Sequence, residues 1–190
     1  MRIVRLADCP EVPWRNGGGT TRELHLEPDL RVTVAFERTG AAFSDFSGWS
    51  RTIVPLGAGF SLRLDEREAV AIPAFQPFSF AGSQRASAAL AAGAIEALNV
   101  MTRDGALAHR AVRLPLPTTV GDGALRSLIC FVARGRVRCG ALSLERGTLA
   151  VAEDAADRAE FARVNPPPDT ILLTFRIDAP DSETRSSVPS

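Results

Sequence analysis

Positions 14 to 23 read Trp14-Arg15-Asn16-Gly17-Gly18-Gly19-Thr20-Thr21-Arg22-Glu23, which gathers an indole, an amide, two guanidiniums and a carboxylate around three consecutive glycines. Glycine loses more backbone freedom on folding than any other residue, so three in a row are expected to answer a need for positive φ or close backbone approach. A Gly-rich connector between strands is the plainer explanation, and it leaves the flanking polar residues unaccounted for. A phosphate cradle needs Gly-Lys-Ser/Thr leading into a helix. Here Gly19 is followed by Thr20-Thr21-Arg22-Glu23-Leu24-His25-Leu26, which alternates like a strand and gives nucleotide binding little support.

Few groups suit metal or nucleophilic chemistry. The chain has two histidines, His25 and His109, with no His-x-His pair, and both are expected at the surface or as capping residues. Metal sites generally want at least three well-placed protein ligands, so neither a metal nor any other cofactor is expected. No Gly-x-Ser-x-Gly marks a nucleophilic serine. Guanidiniums and amides remain. Arg22 shares strand parity with Leu24 and Leu26, which would turn it into a barrel mouth if those leucines face the core. Asn99 shares parity with Ile95, Ala97 and Met101, placing an amide inside an otherwise apolar strand, where it must bond to backbone or to a ligand. Arginine forks suit carboxylates, and a dry pocket of Arg, Asn and Trp would take a small carboxylated or amide-bearing metabolite.

At 190 residues and 45% hydrophobic, the chain can bury a core as one large or two small domains. Its 22 basic residues balance 22 acidic ones, so no global field draws it to nucleic acid or an anionic membrane, and neither partner is expected. No apolar run approaches the roughly 18 residues of a membrane span, and the first residues do not read as a signal peptide, so the expected location is cytoplasmic. Cys9, Cys130 and Cys139 lack metal-type spacing and read as reduced core or surface thiols.

Short β-type runs punctuated by Gly, Pro and Asp recur, and helical periodicity is nearly absent, which predicts an all-β fold. The Ala-rich stretch 85–98 would be helical on propensity, but the surrounding pattern favours two strands joined at Ala92-Gly93. A helix is expected only at 154–163. Asp104-Gly105 carries a hairpin-turn signal between two strands. The runs ending in Gly57 and Gly135 resemble each other, and a further apolar strand begins 13 residues after each, at Val70 and Thr148. A proline-bearing link follows in each half, then a final strand near Ile95 and Ile171. This spacing predicts a duplicated unit of jelly-roll or cupin kind, two stacked barrels. The expected division is a first barrel over 1–120, a second over 121–178 completed by N-terminal strands, and a disordered tail over 179–190.

Three ordered segments together resemble the HutD/Ves family: Pro13-Trp14-Arg15-Asn16-Gly17-Gly18-Gly19-Thr20-Thr21-Arg22-Glu23, Phe43-Ser44-Asp45-Phe46-Ser47-Gly48-Trp49-Ser50-Arg51-Thr52, and Leu98-Asn99-Val100-Met101-Thr102-Arg103. The resemblance implies a bicupin, associated with histidine-utilisation operons or stress responses, that binds a small molecule and supplies no settled reaction. Ser47 stands where the family commonly has proline, and Trp49 where tyrosine or phenylalanine is usual; both changes are expected to reshape one wall of the pocket.

The favoured expectation is a metal-free cupin-type protein that binds a small carboxylate metabolite, such as a formylated or formimino glutamate, with a regulatory or accessory role in histidine utilisation. Arg15, Arg22 and Arg51 would bind carboxylate, Asn16 and Asn99 an amide or formyl group, Trp14 would wall the site, and Gly17, Gly18, Gly19 and Thr20 would form its rim. The alternative is a hydrolase or isomerase acting on a small carboxylated or amide substrate, with Glu23 or Asp45 as base. An interaction module without ligand is a third reading, and a homodimer is left open.

Overall fold

The computed structural model describes residues 1–40, 42–89, 93–114 and 124–180. The expected strand joint at Ala92, the expected domain boundary at 120/121 and the tail beyond residue 180 lie outside the described residues. The chain divides into two compact units, Val4–Arg103 and Met1–Ile3 with the chain from Asp104 onward.

A mostly β fold with little helix is observed. In order, the first strands are β1 (Arg2–Arg5), β2 (Glu11–Pro13), β3 (Gly19–Leu26), β4 (Leu30–Glu37) and β5 (Trp49–Pro55). Next come β6 (Phe60–Leu64), β7 (Val70–Ile72), β8 (Phe78–Ala81), β9 (Ala86–Ala89) and β10 (Ile95–Arg103). Beyond these lie β11 (Ala108–Val112), β12 (Leu125–Arg134), β13 (Arg136–Cys139), β14 (Leu142–Glu145), β15 (Thr148–Ala152), helix α1 (Ala155–Ala162) and β16 (Ile171–Asp178).

In the Val4–Arg103 unit, an antiparallel six-stranded sheet runs β2-β3-β4-β10-β5-β8, beside a three-stranded sheet β7-β6-β9. Ile53, Phe60, Leu62, Ile72, Phe80, Ala86, Ala88 and Ala97 form its core. The Ala-rich run is a strand because it pairs with β6, Leu62 opposite Ala88, and alternation buries Ala86 and Ala88; sheet pairing overrides the helical preference of alanine. In the other unit the order is β1-β15-β12-β16-β11, with a separate β13-β14 pair. Its core combines Leu128, Cys130, Val132, Val137, Cys139, Leu144 and Phe161. Burial pushes the Cys130 thiol well above its usual range and that of Cys139 up to about 11, so neither is a thiolate at neutral pH. Helix α1 starts at Asp154, whose side chain accepts from the Asp157 amide at 2.8 Å.

The two sheets share a strand order: β4-β10-β5-β8 in one matches β11-β16-β12-β15 in the other. This correspondence corrects the expected repeat in one place. Thr148 begins β15, which pairs with β12 as β8 pairs with β5, so its counterpart is Phe78 in β8 and not Val70 in β7. Equal spacing from the glycines matched the wrong strands, because the second unit fits both β13 and β14 between Gly135 and Thr148, whereas only β6 lies between Gly57 and Val70. The Asp104-Gly105 turn forms, with Gly105 at φ 76°, yet it makes no hairpin: β10 pairs with β4 and β5, while β11 pairs with β16.

The histidines also differ from expectation. A bulge between Glu23 and His25 breaks the β3–β4 register and leaves Leu24 and His25 both buried, each 2% exposed. His25 Nε2 stands 3.1 Å from Glu27 Oε1. His109 is half-buried near Phe175, and burial lowers its pKa to about 4.

Two different needs explain the glycine run, which closes the β2–β3 hairpin. Trp14 N donates to Gly19 O at 2.9 Å, Gly17 N to Trp14 O at 3.0 Å, and Gly18 N to Asn16 Oδ1 at 3.1 Å. Gly17 has φ +71° with open space around it, whereas a Cβ on Gly19 would stand 2.3 Å from the backbone oxygen of Phe36 on the paired strand β4. Gly17→Ala should therefore cost about 1–2 kcal/mol from its left-handed backbone. Gly19→Ala should cost at least about 2 kcal/mol, because the ladder itself must move. Denaturant melts check the ranking; equal losses would show that close approach at Gly19 is not a constraint.

Candidate functional site

The six-stranded sheet exposes one face to a cavity of about 730 Å³. Strand alternation decides which side chains reach it. They are Thr21 and Glu23 on β3, Arg31, Thr33, Ala35 and Glu37 on β4, Ile95, Ala97, Asn99 and Met101 on β10, and Arg51 and Ile53 on β5, all at odd positions. Register sets them in cross-strand rows: Glu23, Thr33, Asn99 and Ile53 form one, and Arg31, Met101 and Arg51 the next. The remaining wall comes from the β2–β3 hairpin, through Val12 to Asn16, and from the β4–β5 connection, through Ala42 to Phe46.

Arg51 dominates the chemistry of this wall. It is 4% exposed, and its Nη2 donates to Asn99 Oδ1 at 3.3 Å. Its Nε and Nη1 meet no acceptor among the described residues. Around it stand Phe80, Phe46 and Phe43, with ring centroids 4.9, 5.0 and 5.6 Å from the guanidinium carbon. Desolvation lowers its pKa to about 10, which still leaves it charged at neutral pH. Asn99, itself 4% exposed, donates to Ala97 O at 3.4 Å and so holds its oxygen toward Arg51.

Of the other expected site residues, Trp14, Arg15 and Asn16 line the cavity. Trp14 Nε1 donates to Thr21 Oγ1 at 2.7 Å, and the indole meets Phe43 edge-on at 6.4 Å. Asn16 reaches the Ala42 carbonyl at 3.3 Å, tying the hairpin to the β4–β5 connection. Gly17, Gly18, Gly19 and Thr20 do not line the cavity, and neither does Arg22. Arg22 is even-numbered on β3 and so lies on the opposite face, where it bonds Leu6 O at 3.0 Å and Glu11 Oε1 at 2.9 Å and stacks over Phe36. Leu24 gave a false lead because the sheet buries apolar residues on both faces: Val32, Val34, Leu98 and Val100 are all 0% exposed on the non-cavity side. Ser47 and Trp49 do not line the cavity either, and Arg103 packs 4.7 Å above the Trp49 ring.

Glu23 and Asp45 both line the cavity. Glu23 faces Arg31 Nη2 at 3.4 Å. Asp45 accepts from the Ser47 hydroxyl at 2.7 Å and the Ser47 amide at 2.8 Å, which hold its carboxyl below the usual range and weaken it as a base at neutral pH. The sequence reading missed Arg31, Thr33, Glu37, Phe43 and Phe46. Arg31 and Thr33 share parity with each other on a recognised strand, which is a signal that could have found them. The cavity wall contains no histidine or cysteine, and among the described residues no three His, Cys, Asp or Glu come together as metal ligands.

For stability, Arg51 sets two effects against each other. Burial penalises the charged form in the folded state at any pH below about 10, and the penalty eases as pH rises beyond that value. Each aromatic contact returns about 0.5–2 kcal/mol. Arg51→Met at pH 7 should accordingly stay within about 1.5 kcal/mol of the parent, since a neutral side chain of similar length removes both terms. Thermal melts would reveal a larger loss if the guanidinium were chiefly a structural pin.

The HutD family model matches residues 6–165. The chain is 34% identical over 150 residues to Protein Ves of Citrobacter koseri, covering 74% of this chain and 76% of that one. It is 31% identical over 109 residues to the uncharacterized 21.2 kDa protein in the hutC 3' region of Pseudomonas putida, with 53% of this chain and 57% of that protein covered. That match spans little more than half the relative's length. Among solved structures, HutD from Pseudomonas fluorescens SBW25 superposes with a TM-score of 0.71 at 22% identity, over 94% of this chain and 93% of that one. The family-model match and the Citrobacter koseri relative show that the chain belongs to the HutD family.

Proposed function

We propose that this protein binds a small carboxylate metabolite in the Val4–Arg103 cavity, and that it is a bicupin with a regulatory or accessory role in histidine utilisation. One observation carries the binding reading: a nearly buried guanidinium at the cavity wall, with two donors unfilled and no carboxylate bonded to it among the described residues. A buried charge without a partner is costly, and an anion delivered by a ligand would offset that cost through charge-assisted hydrogen bonds. Asn99 orients the guanidinium, and Trp14 and Phe43 supply apolar surface for the rest of the ligand. The matched strand order of the two sheets supports the bicupin arrangement, and the relative in a hutC 3' region supports the pathway. The hydrolase or isomerase alternative keeps Glu23 and Asp45 in the wall, Glu23 facing Arg31 and Asp45 turned onto Ser47, whose hydrogen bonds weaken it as a base.

Calorimetry with a panel of histidine-pathway carboxylates tests this reading. Arg51→Met should remove about 1.5–3 kcal/mol of binding, and Asn99→Leu a smaller part, while Arg22→Ala, on the other face, should bind like the parent. Affinity should hold steady between about pH 6 and 8 and fall as pH rises through about 10, where the free guanidinium loses its proton. If no carboxylate binds the parent, or if Arg51→Met binds undiminished, the carboxylate pocket is lost as an explanation.

A further inference from the structure

A second guanidinium faces the same cavity. Arg31 and Arg51 both stand opposite Met101, on the two strands that flank β10, so their backbones are about two strand spacings apart, roughly 9.5 Å. Both guanidinium carbons approach one ring: Phe46 lies 5.8 Å from that of Arg31 and 5.0 Å from that of Arg51. Their separation cannot exceed the sum of those two legs. Arg31 is only partly used by the protein. Its Nη2 meets Glu23 Oε1 at 3.4 Å, longer than the roughly 2.7–2.9 Å of a strong charge-assisted bond, and its Nε meets no acceptor among the described residues. Spare donors on two arginines, held at the reach of a short carbon chain, fit two acid groups on one molecule.

We propose that the cavity selects dicarboxylates, Arg51 taking one acid group and Arg31 the other; this rests on the carboxylate reading above. Glu23 then tunes selectivity, because it competes with the ligand for Arg31. Of the remaining acids in the wall, Asp45 is turned onto Ser47, and Glu37 stands opposite Ile95, six residues along β10 from the Met101 row that carries both arginines.

Three probes of nearly equal length separate the alternatives: glutarate carries two carboxylates, butyrate one, and 4-aminobutyrate one carboxylate and one ammonium. Calorimetry on the full chain should show glutarate binding about tenfold or more tighter than either of the others, as expected for one further charge-assisted contact. Arg31→Gln should lower glutarate affinity about tenfold and leave butyrate within about twofold; Glu23→Gln should raise glutarate affinity and leave butyrate unchanged. Glu23→Gln also keeps the test decisive should Arg31→Gln destabilise the Phe46 loop in melts. Equal binding of glutarate and butyrate, tighter binding of 4-aminobutyrate, or no gain from Glu23→Gln would overturn the dicarboxylate assignment while leaving a monocarboxylate site standing. Absence of binding by all three would remove both.

Discussion

A guanidinium withdrawn from water, with no carboxylate bonded to it among the described residues, is the constraint around which this unit is organised. Arg51 keeps its charge through three aromatic faces and one amide oxygen, all of them weaker partners than an anion. Each partner needs its own support. Asn99 is fixed in the middle of β10, between β4 and β5, and Phe80 comes from β8, the strand paired to β5. Phe43 and Phe46 come from an irregular connection that has no ladder of its own. That connection is anchored by backbone bonds from Phe43 N to Ala86 O and from Phe46 N to Gly82 O. Gly82 is required there, because a Cβ would stand 2.2 Å from Phe46 O.

The same sheet explains why the cavity survives on one face and not the other. On the cavity side the rows carry Thr33, Ala35, Ala97 and Asn99, small or polar residues that cannot fill the space above them. On the reverse side Val32, Val34, Val54, Leu98 and Val100 are fully buried. Larger aliphatic residues at the four former positions would close the cavity by ordinary packing. In the second unit, Leu128, Cys130 and Val132 on β12 pack into an apolar core with Phe161 of α1.

Much of the fold was legible in the sequence. Strand limits at Phe60–Leu64 and Arg136–Cys139 and the helix after Asp154 follow from local pattern, whereas the Ala86–Ala89 strand follows only from the pattern around it, against alanine's own helical preference. Pairing was harder to read. The Asp104-Gly105 turn has the right chemistry for a hairpin, but the chain leaves one sheet there and enters another, a choice fixed by distant strands. Asn99 was found from parity because β10 is regular over nine residues. Arg22 was misjudged because parity alone does not say which of two buried faces borders the cavity, and the bulge after Glu23 disturbs the count. Phe43 and Phe46 belong to no periodic segment, so nothing local links them to Arg51.

The central claim is that Arg51 is the anchor for a ligand carboxylate, and a crystal structure with glutarate bound tests it most directly. Carboxylate oxygens are expected within about 3 Å of Arg51 Nε and Nη1, with the Asn99 contact retained. A ligand seated elsewhere in the cavity with those two donors still empty would contradict the claim.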